Sequence, residues 1–381
     1  MASGEPPQTP ARIASLDGMR ALALLAVFAF HTWEFAGHPD IPIVSEVVSQ
    51  NIRPDFFVVL TGFFLYLPFA RDAARHATFH APSYLARRLR RIVLPYWAAL
   101  VYAVLLPEVL VVVTRLAGQD ASWQLVPTFW DLFTHFTFTH LFFEEYWSGV
   151  NGSLWTMSLE MQLYLLFPLV MIVAARWRLP GLFALIGLST AFRIAVAAFV
   201  PENTQFMWSA SGAGRLMEFV AGMLAAVLVF AIPRFAMRHT YLALLAMGVI
   251  GGYAIATLPA LQHTVLPLRE LGLSVMFAGF VVLVLTFPPL DRALALRPLG
   301  FVGYRAYSIF LIHQPTMWYF SEFLRKDAGV PQGIGMLAIL WTVGFALTVL
   351  VGGLLFVTVE RPCILWSRRA GTARERVLPT T

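Results

Sequence analysis

The chain has 381 residues, of which 59% are hydrophobic and only 13% charged. Soluble domains average about 25% charged and 45–50% apolar residues, so this composition excludes an ordinary soluble globular protein and identifies an integral membrane protein. The net charge of +6 comes from basic residues scattered along the chain, not a nucleic-acid signature, and the lone Cys363 excludes an intrachain disulfide.

Windows of about 20 apolar residues mark spanning helices. Ten are read here: 14–35, 54–70, 92–114, 154–175, 180–200, 212–232, 240–260, 268–287, 301–323 and 333–358. With the N-terminus in the cytoplasm, eighteen basic residues fall in inside segments and four (Arg53, Arg115, Arg325 and Lys326) fall outside. Basic residues accumulate on the cytoplasmic side, so both termini are expected there. The expected architecture is an all-α integral membrane protein of about ten transmembrane helices. It forms one domain over 13–362, between a disordered N-terminus (1–12) and a cytoplasmic tail (363–381). No small-residue cleavage pattern ends the first apolar segment, which therefore reads as a retained span.

That first span carries polar residues on one face. Asp17 lies three residues before Arg20. Arg20 lies eleven residues, or about three turns and 16 Å, before His31. Hydrocarbon penalises a centrally placed arginine by a few kcal/mol, so its presence needs a reason. His31 is a candidate general base, because an imidazole titrates near neutrality; the alternative is a packing histidine satisfied by a nearby hydroxyl. Arg20 and Asp17 form either a structural pair or a receptor for a phosphate or carboxylate entering from the cytoplasm.

Further along, residues 71–91 are expected to lie along the headgroups as an amphipathic helix. They end in Arg87, Arg88, Arg90 and Arg91, which suit anionic lipid or a polyphosphate at a cavity mouth. Residues 115–153, outside the membrane, are rich in aromatic residues, including Trp123, Trp130 and Trp147. They are suited to dip into the interface or roof a cavity. His135 and His140 match no common zinc spacing, so no metal site is expected.

The fourth span holds Glu160 with Trp155, Ser158, Gln162 and Tyr164 nearby. An intramembrane carboxylate must be protonated or partnered; it can orient a histidine or pair with an arginine of another helix. Arg215 and Glu218, spaced i,i+3, can pair with each other, and Gly222 permits close helix packing. Tyr307, Ser308 and His313 precede Pro315, which breaks the local ladder of the ninth span. No Walker loop, GxGxxG or GxSxG elbow is present.

Together these segments resemble the acyltransferase-3 superfamily of membrane-bound O-acyltransferases. The resemblance runs from about Ile13 to Pro362. It is carried by Leu16-Asp17-Gly18-x-Arg20 with Arg20-x10-His31, by Asp55–Phe63 (with Thr61 in place of the usual serine), and by Arg87–Ile92 with Pro95-Tyr96-Trp97. It continues through Trp155–Tyr164, Arg215/Glu218/Gly222, Tyr307–Pro315 and Glu360-Arg361-Pro362. It implies a multi-pass transferase of the cell membrane, in the bacterial inner membrane, using acyl-CoA as donor and no metal. The acyl group, often acetyl, would go to a hydroxyl of a glycolipid, polysaccharide or glycosylated natural product. His31 would be the catalytic base, with Glu160 orienting it or balancing its charge, while Arg20, Arg87, Arg88, Arg90 and Arg91 would hold the donor. Asp17, Asp55, Trp155, Ser158, Arg215, Tyr307 and His313 would bind substrate. Many relatives carry an appended esterase-like domain; without one, any relay across the envelope would need another protein. The competing readings are a transporter of a small molecule or lipid-linked sugar, and a structural partner in an envelope complex. Transporters usually show repeats or paired broken helices, which this sequence lacks.

Overall fold

The computed structural model describes residues 13–42, 44–49, 53–71, 79–116, 127–231, 239–258 and 267–375, and among them all regular structure is helical. The N-terminal dozen residues, Trp123 and residues 376–381 lie outside the described residues. The chain begins with α1 (Ala14–Phe35), the short α2 (Val44–Ser49), α3 (Arg53–Arg71) and α4 (Ala81–Leu116). After α5 (Phe129–Phe136) come α6 (Trp155–Phe199), α7 (Glu202–Ser209), α8 (Leu216–Ala231) and α9 (His239–Thr257). The remainder is α10 (Leu268–Thr286), α11 (Pro288–Leu294), α12 (Arg297–Tyr304), α13 (Ala306–Lys326), α14 (Ile334–Ile339), α15 (Phe345–Leu355) and α16 (Arg361–Glu375). Two π-helical segments, Leu340–Gly344 and Phe356–Glu360, join the last three.

Among the described residues, six helical segments are long and apolar enough to cross a membrane, and Leu216–Ala231 and Tyr241–Thr257 are apolar but shorter. Large apolar side chains point outward along the long helices, among them Val112 and Val113 on α4, Leu169 and Ile172 on α6, and Leu350 and Leu354 on α15. In lipid such a face has no reason to turn inward.

Two features depart from the expected segments and one matches them. The basic run is not a separate interfacial helix: from Ala81 it forms the first turns of α4 itself. A straight α6 of 45 residues would reach about 68 Å, more than twice the hydrocarbon thickness. The helix breaks instead at Arg178 (φ 48°, ψ −131°), two residues before Pro180, and the expected segments 154–175 and 180–200 fall on its two arms. The expected segment 301–323 is divided at Arg305, between α12 and α13.

The core is built where α1, α3, α4, α6, α8, α10 and α13 meet, around Leu24, Phe63, Tyr96, Leu100, Phe167, Phe219, Leu273 and Ile309. α3 and α8 approach so closely that a Cβ on Gly222 would lie 1.9 Å from the Val59 carbonyl oxygen, and one on Gly62 equally close to that of Phe219. The two glycines set this spacing, as expected for Gly222.

Candidate functional site

Two cavities lie along the polar face of α1. The first is lined by Arg20 from α1, Thr61 from α3, Arg88 and Arg91 from α4, Glu160 and Tyr164 from α6, Tyr307 from α13 and Glu360. The second holds His31 and Glu34 from α1, with Trp147, Ser153, Trp155 and Gln314 around them. Four residues, Pro54, Phe57, Thr156 and Phe310, line both.

The first cavity concentrates positive charge. Helical phase decides which arginines reach it: Arg88 and Arg91, spaced i,i+3, face it. Arg87 is exposed, and the Arg90 guanidinium sits 4.9 Å from the Trp366 ring centroid. Neither Arg87 nor Arg90 lines the cavity. Among the described residues, no carboxylate stands within ion-pair distance of Arg88 or Arg91. The two cavity carboxylates bond to neutral hydroxyls: Thr61 Oγ1 donates to Glu160 at 3.1 Å, and Ser308 Oγ donates to Glu360 at 2.6 Å. Arg20 Nη1 lies 3.4 Å from Asp17 Oδ1, and its guanidinium carbon lies 3.9 Å from the Phe64 ring centroid. Arg20 is thus paired with Asp17 and also lines the cavity.

In the second cavity His31 Nδ1 stands 3.2 Å from Glu34 Oε2, one helical turn away. With Nδ1–H donating to that carboxylate, Nε2 is the unprotonated nitrogen of the neutral ring. The structure brings Glu34 to His31; Glu160 stands in the other cavity. His313 is buried 5.2 Å from His31 between ring centroids, and its Nδ1–H donates to the Phe310 carbonyl at 2.5 Å. The floor of this cavity is tied to α13, because Gln314 accepts from the Ser153 amide and Asn151 Nδ2 donates to the Leu311 carbonyl at 3.2 Å. Trp155 lines the second cavity, and Tyr307, whose hydroxyl donates to the Ile92 carbonyl at 2.9 Å, lines the first.

Other candidates lie elsewhere. Asp55 pairs with Arg215, which also donates to Glu218 at 3.0 Å, and all three are buried away from the lining of either cavity. Ser158 is buried, its hydroxyl donating to the Phe138 carbonyl at 2.6 Å. That bond, with those from Tyr96 to His135 (3.1 Å) and from Trp97 to Phe136 (3.0 Å), pins the aromatic segment before α6 to α4 and α6. Trp147 and Ser153 of that segment line the second cavity.

His135 and His140 stack with ring centroids 4.1 Å apart, and each places one nitrogen on a backbone carbonyl, of Asp131 and Leu154 respectively. Burial, and next the neighbouring imidazole, hold His140 down to about 3; burial also lowers His135. Below pH 6.5 the unfolded chain takes up protons that the folded protein refuses, so stability falls as pH drops toward 3, by up to about 1.4 kcal/mol per pH unit per histidine. His140→Gln keeps a donor for the Leu154 carbonyl but cannot titrate. Its thermal midpoint in detergent is expected to fall less between pH 6.5 and 4 than that of the unmodified protein. An identical fall would contradict the assignment.

Comparison with known proteins gives the family. A family model described as an acyltransferase domain matches residues 13–357. The chain belongs to the acyltransferase-3 family. It is 24% identical over 329 residues to peptidoglycan O-acetyltransferase OatA of Listeria monocytogenes, covering 80% of this chain and 49% of that protein. It is 22% identical over 362 residues to O-acetyltransferase OatA of Staphylococcus aureus, covering 88% and 55%. Exopolysaccharide production protein ExoZ of Rhizobium meliloti is 27% identical over 354 residues, covering 91% and 96%. The chain thus spans about half the length of the two OatA proteins. No solved structure matches it.

Glu34 lies outside the motifs that the sequence pattern marks, and Glu360 enters there only as part of Glu360-Arg361-Pro362, with no role given to it. Glu34 is signalled only by the His31-x-x-Glu34 spacing, which places both side chains on one helical face. Glu360 closes a π-helical segment, and such bulges recur at functional sites.

Proposed function

We propose that this protein is a membrane-bound O-acyltransferase that takes a short acyl group from cytoplasmic acyl-CoA and transfers it to a hydroxyl of an envelope glycolipid, polysaccharide or natural-product sugar. In this reading ten spans cross a bacterial inner membrane, with both termini in the cytoplasm. The observation that carries it is the pair of adjoining cavities with four lining residues in common. One presents Arg88 and Arg91, which have no carboxylate within ion-pair distance among the described residues; the other presents a histidine held by a carboxylate.

Guanidiniums facing a cavity suit the phosphates of CoA. The about 16 Å from Arg20 to His31 along α1 lies along the route of the thioester arm. His31 Nε2 takes the proton of the acceptor hydroxyl as its oxygen attacks the thioester carbonyl. The carbon–sulfur bond then breaks, and the departing thiolate recovers the proton from the imidazolium, whose charge Glu34 balances. Tyr164 and Glu160 shape the donor side. The printed names of the OatA proteins, O-acetyltransferases, and of ExoZ, an exopolysaccharide production protein, support acyl transfer to a glycan.

The donor assignment is tested by Arg88→Ala and Arg91→Ala. Removing a charge-assisted phosphate contact is expected to raise the KM for acetyl-CoA by about tenfold for each, with a smaller effect on kcat. An unchanged KM in both variants would contradict donor binding in the first cavity. Translocation of a sugar substrate without any acyl donor would favour the transporter reading instead.

A further inference from the structure

The residues shared by the two cavities form a partition with one movable side. Phe57 of α3 and Phe310 of α13 meet there with ring centroids 5.6 Å apart and planes inclined at 54°. Rings at that separation are in van der Waals contact, so nothing passes between them as they stand. Phe310 is buried and fixed. Its carbonyl accepts from His313, its ring lies 5.3 Å from the His313 ring, and His313 in turn lies 5.2 Å from His31. Phe57 is only half-buried and borders both cavities, which leaves it the ring with room to turn. The facing wall is smaller and stiffer: Pro54, and Thr156 with its hydroxyl on the Ser153 carbonyl at 2.9 Å.

We infer that Phe57 and Phe310 form an aromatic gate that selects the acyl group by length. The inference rests on the donor entering at Arg88 and Arg91 and reacting at His31. In that geometry the acyl end leads. Every carbon beyond the thioester carbonyl must clear the two rings before reaction, and must then share the second cavity with the acceptor. That cavity is already walled by Phe30, Trp147, Trp155 and Phe206. A short acyl group clears the gate when Phe57 turns; a long one is stopped on the arginine side. Opening the gate therefore extends the range of donors upward in length.

The test is thiol release from acetyl-, butyryl- and octanoyl-CoA by the full chain in proteoliposomes supplied with a bacterial envelope-glycan extract. The unmodified protein is expected to favour acetyl-CoA. Phe57→Ala and Phe310→Ala are each expected to raise the octanoyl-to-acetyl ratio of kcat/KM at least tenfold, a gain that only folded protein can give. Thr156→Trp, which narrows the same passage, is expected to lower the butyryl-to-acetyl ratio. Unchanged ratios in both phenylalanine variants, with acetyl-CoA still used by the unmodified protein, overturn the gate and leave the transferase reading standing. Loss of all three donors in Phe57→Ala and in Phe57→Leu alike makes the rings structural and also overturns it. Release from no thioester by the unmodified protein removes the transferase reading and the gate together.

Discussion

His31→Ala is expected to lower acyl transfer by about 10²–10⁴-fold, the usual contribution of a positioned general base. Acetyl-CoA affinity should hardly change, because the arginines proposed to hold the donor line the other cavity. Loss should therefore fall on kcat, the signature of an interaction made in the transition state. Glu34→Gln should fall between the two, since it keeps a hydrogen-bonding partner 3.2 Å from the imidazole but removes the balancing charge. Transfer measured with isotopically labelled acetyl-CoA reads both. Full activity in His31→Ala would remove the histidine from the chemistry, and with it the meaning of the second cavity.

Arg215→Met is expected to destabilise the fold by about 3–5 kcal/mol, the range seen when one partner of a buried ion pair is removed. Asp55 and Glu218 are fully buried and both bond to this guanidinium, so the variant leaves two carboxylates facing each other without their cation. Arg193, paired with Glu270 at 2.7 Å, is already committed and cannot replace it. The readout is a large fall in thermal midpoint, with the KM for acetyl-CoA unchanged in protein that remains folded. A variant of normal stability with weakened substrate binding would return Arg215 and Asp55 to the substrate site, the role that the sequence resemblance implies for them.

These cases separate what the amino-acid sequence makes legible by itself from what packing alone decides. Arg20 and His31 stand out because hydrocarbon penalises both, and the helix repeat alone puts them on one face. Arg87–Arg91 are legible as a basic run. The phase separating Arg88 and Arg91 from Arg87 and Arg90 is also computable, but which phase faces a cavity depends on how α3, α6 and α13 pack against α4. Glu34 is hidden by position: an acid at the end of a span reads as an interfacial residue. Phe57 and Phe310 lie in two of the family-like segments, Asp55–Phe63 and Tyr307–Pro315, but nothing in the sequence shows that their rings meet. Asp55 and Arg215 are recognisably unusual, yet a buried pair and a pair of ligands look alike in sequence. The gap between the apolar windows at 175 and 180 matches the kink at Arg178, whereas the division at Arg305 lies inside a single apolar window and is not visible in composition.

The central claim is that donor and acceptor meet across the partition from opposite ends. Reconstituted vesicles of known orientation, with labelled acetyl-CoA confined to the face bearing Arg88 and Arg91 and a soluble envelope-glycan acceptor confined to the other, test it most directly. The account predicts labelled ester on the glycan and free CoA on the donor side. Transfer only when both substrates share one face, or none from acetyl-CoA in any arrangement, would contradict it.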